Sequence, residues 1–276
     1  MSSAWIKLSQ SLTLLVVLFS KKLIVLINKR PLKKILRAFL NKPFYIALIN
    51  VFKYFDHPTD ILRRYVLGQG DYPKKFTVKT PLGKQEVWLY SFHDMITMVE
   101  CYGKLGYPSE KDISCVVDFG SNIGISAGYF LTRNKNMKVY LFEPLPRNIA
   151  RLKTNLQGFK SRYELHEVAV GLKNGHAEFG FEATGRYGGL ESDLPKTIQV
   201  QVRKVEEIIS SILEKEGHID ILKIDVEGLE TAIIQSLSTD NLENINRIYA
   251  ETNYSGCLRG FDKEQYGEIV RFCKAL

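Results

Sequence analysis

The sequence predicts an α/β fold on a mostly parallel, doubly wound sheet, and three stretches predict it. Val116-Val117-Asp118-Phe119-Gly120-Ser121-Asn122-Ile123-Gly124 is an apolar run ending in an acid, followed by a glycine turn. The Ile/Ala/Phe-rich residues 123–131 after it read as a helix. Residues 138–144 form a second apolar run that also ends in an acid, Glu143. Residues 219–230 form a third: an apolar strand gathers Lys223, Asp225 and Glu227 at its carboxyl end and turns at Gly228 into a helix. Strand, glycine turn and helix open a nucleotide-binding α/β unit, and their repetition implies parallel strands with right-handed crossovers.

In chain order, the 276 residues divide into a basic, apolar segment (1–55), a connecting region with a hairpin and a helix (56–112), and the α/β domain (113–276). The net charge of +8 belongs to the first of these. Residues 1–55 hold ten of the 38 Lys and Arg and none of the 30 Asp and Glu, which leaves residues 56–276 at −2. A near-neutral globular part carries no nucleic-acid signature. Residues 11–28 are apolar but split by Lys21-Lys22; two lysines near the centre of a span cost roughly 2.5–3.5 kcal/mol each, so no stable transmembrane helix is expected. No small-residue cleavage site follows Phe19, so the stretch is a poor signal peptide.

Pro31 stands at a helix start, and Leu32, Ile35, Leu36, Phe39 and Leu40 fall on one helical face with Lys33, Lys34 and Arg37 opposite. This is the pattern of a basic amphipathic helix that lies on an anionic membrane surface; a helix packed on the globular part is the alternative. The four cysteines show neither C-x-x-C nor metal spacing and read as free thiols of a reducing compartment. A cytoplasmic protein at the membrane periphery is therefore expected.

Residues 76–80 and 86–90 alternate around Pro81-Leu82-Gly83, a hairpin, and residues 93–105 read as a helix. Glu100 and Tyr107 lie just ahead of the glycine turn, placed either to face a ligand or to sit as ordinary helix and loop residues. In the α/β domain, Glu143 falls 23 residues after Gly120, about where such folds place the carboxylate that grips a ribose diol. A helix over 146–156 and a third strand over 163–170 follow. Residues 177–182 and 197–202 read as an antiparallel pair joined by the glycine-rich 185–189, a candidate flap. A fifth strand over 246–252 ends in Glu251-Thr252-Asn253. Asp118, Glu143, Asp225 and Glu251 are thus expected along one edge of the sheet.

The glycine turn discriminates between cofactors. A dinucleotide fingerprint needs its second glycine so that backbone approaches the pyrophosphate; this chain has Asn122 there. That argues against an NAD-dependent dehydrogenase and leaves a cofactor without a phosphate to approach.

Together, residues 117–124, Phe142-Glu143-Pro144, Ala169-Val170-Gly171 and above all Lys223-Ile224-Asp225-Val226-Glu227-Gly228-Leu229-Glu230 resemble the FkbM family of S-adenosylmethionine-dependent methyltransferases. The resemblance implies a Rossmann-like class I methyltransferase fold and methyl transfer to a hydroxyl of a sugar, glycan, lipid-linked or secondary-metabolite acceptor. Asp118, Gly120, Ser121, Asn122, Gly124 and Glu143 would bind the cofactor. Asp225 or Glu227 would take the acceptor proton, with Lys223 beside them. No metal is expected, although Asp225, Glu251 and Asn253 offer hard oxygen ligands for a divalent ion. Such a fold ends in an antiparallel strand pair, whereas residues 262–276 read as a helix. The last two strands are therefore expected to be missing and the fifth strand to be an uncovered edge, which favours a truncated, non-catalytic scaffold as the alternative function.

Overall fold

The computed structural model describes residues 42–182, 188–190, 194 and 196–275. The apolar stretch 11–28, the amphipathic pattern 31–40 and residues 185–187 of the glycine-rich joint lie outside them.

Helices α1 (Lys42–Tyr54) and α2 (Pro58–Leu67) precede the expected hairpin of β1 (Lys74–Thr80) and β2 (Gly83–Leu89). Helix α3 (Phe92–Met98) starts on a capping box. The Ser91 side chain accepts from the Asp94 N–H, the Asp94 carboxylate accepts from the Ser91 N–H, and the helix runs on as a π-turn over Val99–Lys104. The α/β units then follow as β3 (Cys115–Phe119), α4 (Ile125–Leu131), β4 (Lys138–Phe142), α5 (Pro146–Asn155) and β5 (Tyr163–His166). After β6 (Ala169–Gly171), β7 (Gly175–Phe181), β8 (Gly188–Leu190) and β9 (Lys196–Lys204), the chain returns through α6 (Val205–Glu216) to β10 (Ile219–Ile224). It ends with α7 (Glu230–Ser236), α8 (Thr239–Glu243), β11 (Ile245–Glu251), β12 (Phe261–Tyr266) and β13 (Ile269–Lys274).

The central sheet has seven strands in the order β12-β13-β11-β10-β3-β4-β5, with β11, β10, β3, β4 and β5 parallel. Both faces are covered because alternate residues of each strand are apolar. Val116, Val139, Leu141, Ile221 and Tyr249 pack on one side with α3, α4 and α5; Val117, Phe119, Phe142, Leu222 and Ile248 pack on the other with α6 and α7. The strand order reverses between β3 and β10, and open α/β sheets bind ligands outside the carboxyl ends of strands at such a switch point.

Two expectations are corrected. The last two strands are present: residues 262–276 are not a helix, and β13 pairs antiparallel with β11 and covers its edge, with β12 outside it. Asp262, Lys263, Glu264 and Gln265 of β12 are exposed, so the outer strand lacks an apolar alternation and carries the charges that protect an edge. The hairpin turns on a two-residue loop, Gly267-Glu268, with Gly267 at φ +66°, a conformation glycine adopts freely. The expected single third strand is in fact two. After His166 the chain leaves the central sheet, and β6 joins a separate four-stranded sheet, β6-β9-β7-β8, which contains the expected antiparallel pair β7–β9. No helix among the described residues is long and apolar enough to cross a membrane.

Candidate active site

A cleft of about 980 Å³, its open mouth included, lies at the carboxyl ends of β3, β4, β10 and β11. Its first wall is the turn after β3, where Gly120, Asn122 and Gly124 all have positive φ (+77°, +47° and +82°). Gly120 is required by its neighbour: a Cβ there would stand 1.7 Å from the Asp225 carbonyl oxygen, because the turns after β3 and β10 touch at this point. Ser121 pins the turn. Its Oγ donates to the Asp118 carbonyl at 2.8 Å and accepts from the Phe142 N–H at 3.1 Å.

Glu143 closes the second wall from the end of β4 and is 4% exposed. Its Oε2 accepts from the Asn122 N–H at 2.9 Å, and its Oε1 accepts from the Leu145 N–H at 3.0 Å and from Asn148 Nδ2 at 3.3 Å. Burial outweighs these donors and pushes the carboxyl up to about 7. Two carboxylate oxygens offer about four acceptor positions; three are used here, so capacity for a ligand hydroxyl remains. Val168, Ala169, Phe179 and Leu190 add an apolar side to this end of the cleft.

The third wall is charged. Lys223 Nζ sits 3.0 Å from Asp118 Oδ1 and 3.1 Å from Asp225 Oδ2, and Asp118 Oδ2 accepts from Ser126 Oγ at 2.6 Å. Burial alone would depress the lysine pKa, but the carboxylates of Asp118 and Asp225 prevail and hold it well above the ordinary lysine value. Glu230, 7% exposed, accepts from the Val226 and Gly228 N–H groups and so braces the turn that carries Asp225 and Glu227. Glu227 itself is exposed, at φ +50°. Gly189 of β8 packs against it: a Cβ there would lie 2.6 Å from the Glu227 carbonyl oxygen.

Most of the sequence-predicted residues converge. Gly120, Ser121, Asn122, Glu143, Lys223, Asp225, Glu227 and Glu251 all line the cleft. Asp118, fully buried, does not; it lies beneath, holding Lys223 and Ser126. Gly124 also faces away, with Leu152 and Leu156 packed against it. Glu100 lines the cleft together with Asp94 and Thr97 of α3, which the sequence reading passed over. Asp94 was legible as the capping-box acid after Ser91; Thr97 carried no signal. Tyr107 is buried behind the lining, where its Oη donates to Glu251 Oε1 at 2.5 Å.

The oxygen set Asp225, Glu251 and Asn253 does not come together as a metal site. Asn253 is exposed and is not part of the cleft lining, and Lys223 already places a cation against Asp225. Among the described residues, no three His, Cys, Asp or Glu side chains are grouped to hold a metal ion.

The family profile described as "Methyltransferase FkbM domain" matches residues 118–276. Methyltransferase 1 of Beauveria bassiana (strain ARSEF 2860) is 22% identical over 193 residues, covering 62% of this chain and 75% of that protein. The 2-O-methyltransferase NoeI of Sinorhizobium fredii (strain NBRC 101917 / NGR234) is 30% identical over 162 residues, covering 51% of this chain; the chain spans 64% of NoeI's length. A methyltransferase from Geobacter sulfurreducens, known from its crystal structure, aligns at 16% identity and a TM-score of 0.33 over 60% of this chain and 72% of that one. With the profile match spanning more than half of its length and beginning at Asp118, the acid of β3 that lies beneath the cleft, the chain belongs to the FkbM methyltransferase family.

Proposed function

We propose that the cleft binds S-adenosylmethionine and that the chain methylates a hydroxyl oxygen of a sugar, glycan, lipid-linked or related acceptor. The observation that carries this reading is Glu143, a buried carboxylate at a strand end that keeps accepting capacity while the Asn122 N–H holds it against the glycine turn. The donor set fits the cofactor. Glu143 suits a ribose diol, the apolar side formed by Val168, Ala169, Phe179 and Leu190 suits a flat base, and the excess of carboxylates over Lys223 suits a cationic ligand.

When bound, the cofactor supplies a methyl group already activated on a sulfonium. The chain's own residues then have two tasks, aligning the acceptor oxygen and removing its proton. Ser121 and Glu230 hold the two turns in register, Asp118 anchors Lys223, and Asp225 and Glu227 offer acceptors that orient hydroxyl groups. NoeI is named a 2-O-methyltransferase, which supports an oxygen acceptor here. The scaffold alternative drew its support from an uncovered strand edge, and β13 covers that edge.

Transfer of radiolabelled methyl from S-adenosylmethionine to a panel of alkyl glycosides, amino sugars and uronic acids tests the acceptor class. Label in base-stable ethers is expected; label only in amines or esters contradicts it. We also infer that the basic residues 1–55 bring the enzyme to an anionic membrane surface, where a lipid-linked acceptor would be met.

A further inference from the structure

Within the methyltransferase reading above, on which this inference rests, the described carboxylates of the cleft differ in their partners: Glu143 is held by three donors at the ribose end, and Glu227 is exposed. Asp225 is ion-paired with Lys223 at 3.1 Å, and Glu100 lies 3.7 Å from Lys104 Nζ. Asp94 spends its Oδ2 on the N–H groups of Tyr90 and Ser91, at 2.7 and 2.8 Å. Glu251 meets a neutral phenol instead, the Tyr107 hydroxyl at 2.5 Å. A carboxylate neutralised by a cation is a weak base, whereas one held by a neutral donor away from water keeps its basicity.

The phenol is fixed in place. Tyr107 is 1% exposed and packs between the rings of Phe130 and Tyr249, with centroids at 6.4 and 6.1 Å. Arg271 donates to the Leu105 carbonyl at 2.7 Å and to the Gly106 carbonyl at 2.9 Å, and Tyr249 Oη donates to the Pro108 carbonyl at 2.8 Å. Strands β11 and β13 therefore aim Tyr107 at Glu251, and Glu251 at the cleft.

We propose that Glu251 is the general base that removes the acceptor's hydroxyl proton, with Tyr107 as its positioning residue, and that no divalent cation takes part because Lys223 already holds Asp225. In the step, the acceptor O–H bond breaks and its proton joins a Glu251 oxygen. The acceptor oxygen bonds to the methyl carbon, and the electron pair of the broken carbon–sulfur bond stays on sulfur. Glu251 then returns its proton to solvent.

The groups facing Glu251 are Asp225 and Lys223 from the end of β10, Glu100 and Cys101 from the π-turn, and Tyr107 from the loop before β3. Burial, then the charges of Asp225 and Glu100, outweigh Lys223 and the phenol and push the Glu251 carboxyl up to about 8. A base of that strength is still ionised in a useful fraction near neutral pH.

The test is a carbon-13 NMR titration of the whole protein labelled at glutamate carboxyls. It is combined with a pH–rate profile for the best glycoside acceptor and calorimetry with S-adenosylhomocysteine. The wild type is expected to show one glutamate titrating near 8, a signal lost in Glu251→Gln. Tyr107→Phe removes a hydrogen bond that favours the charged form, so both that midpoint and the ascending, acid limb of kcat, where the base loses its proton, move to higher pH. Glu251→Gln is expected to lower kcat by about 10²–10⁴-fold, with the affinity for S-adenosylhomocysteine unchanged and part of the rate restored in Glu251→Asp. A Glu251 midpoint in the ordinary glutamate range, a wild-type kcat in Glu251→Gln, or activity lost to a chelator and restored by Mg²⁺ overturns the proposal. Failure of the wild type to bind S-adenosylhomocysteine would instead overturn the cofactor reading beneath it.

Discussion

Glu143 links the chemistry of the site to the stability of the fold. Its folded carboxyl is raised to about 7 from 4.5, so between those values the native state keeps a proton that the unfolded chain has released. Stability then falls as pH rises through that window and levels off above it. Glu143→Gln should flatten this slope, measured as Tm between pH 5 and 8; an unchanged slope would show that Glu143 is ionised throughout. At the same scale, the sequence revealed most of the site but little of its layering. The acids at the strand ends were legible because a charge closing an apolar run is costly unless it is used. Asp118 and Glu143 are indistinguishable on that criterion, yet only Glu143 reaches the cleft, because Asp118 turns under it to Ser126 and Lys223. Glu251 was visible as a strand-end acid, but the distinction of its phenol partner comes from Tyr107, 144 residues away in sequence.

At the scale of elements, the parallel strands and their helices were readable because each strand buries both faces. Strand β12 was not, because an exposed edge strand with four consecutive polar residues has the composition of a surface helix. What holds the C-terminal hairpin to the site is Arg271, 8% exposed, stacked 3.7 Å from the Tyr266 ring and donating to the carbonyls of Leu105 and Gly106. Arg271→Leu keeps the apolar stem but leaves those buried carbonyls unpaired, at about 1–3 kcal/mol for each unsatisfied group. A Tm lower by roughly 5–10 °C is expected for a chain of this size, together with the rise in the Glu251 midpoint described for Tyr107→Phe. A stable Arg271→Leu protein with wild-type titration would show that the hairpin does not set the position of Tyr107.

At the scale of the whole molecule, charge and chemistry are segregated. The basic excess lies in residues 1–55, and the site lies in a domain of slightly acidic balance. If the first segment works electrostatically at a membrane, replacing Lys21, Lys22, Lys33 and Lys34 by Ala should reduce sedimentation with phosphatidylserine vesicles about tenfold or more, at about 1 kcal/mol per basic residue, and the effect should vanish in high salt. Sedimentation equal to that of the parent chain would contradict it. The site's own claim is more direct: the turn after β3 and the carboxylate after β4 form an S-adenosylmethionine site. Calorimetric titration with S-adenosylhomocysteine, comparing the parent chain with Glu143→Gln, tests it. One site is expected in the parent, with affinity weaker by about 10–100-fold in the variant, the loss of a hydrogen bond to a charged group. Equal affinity in the two proteins would contradict it.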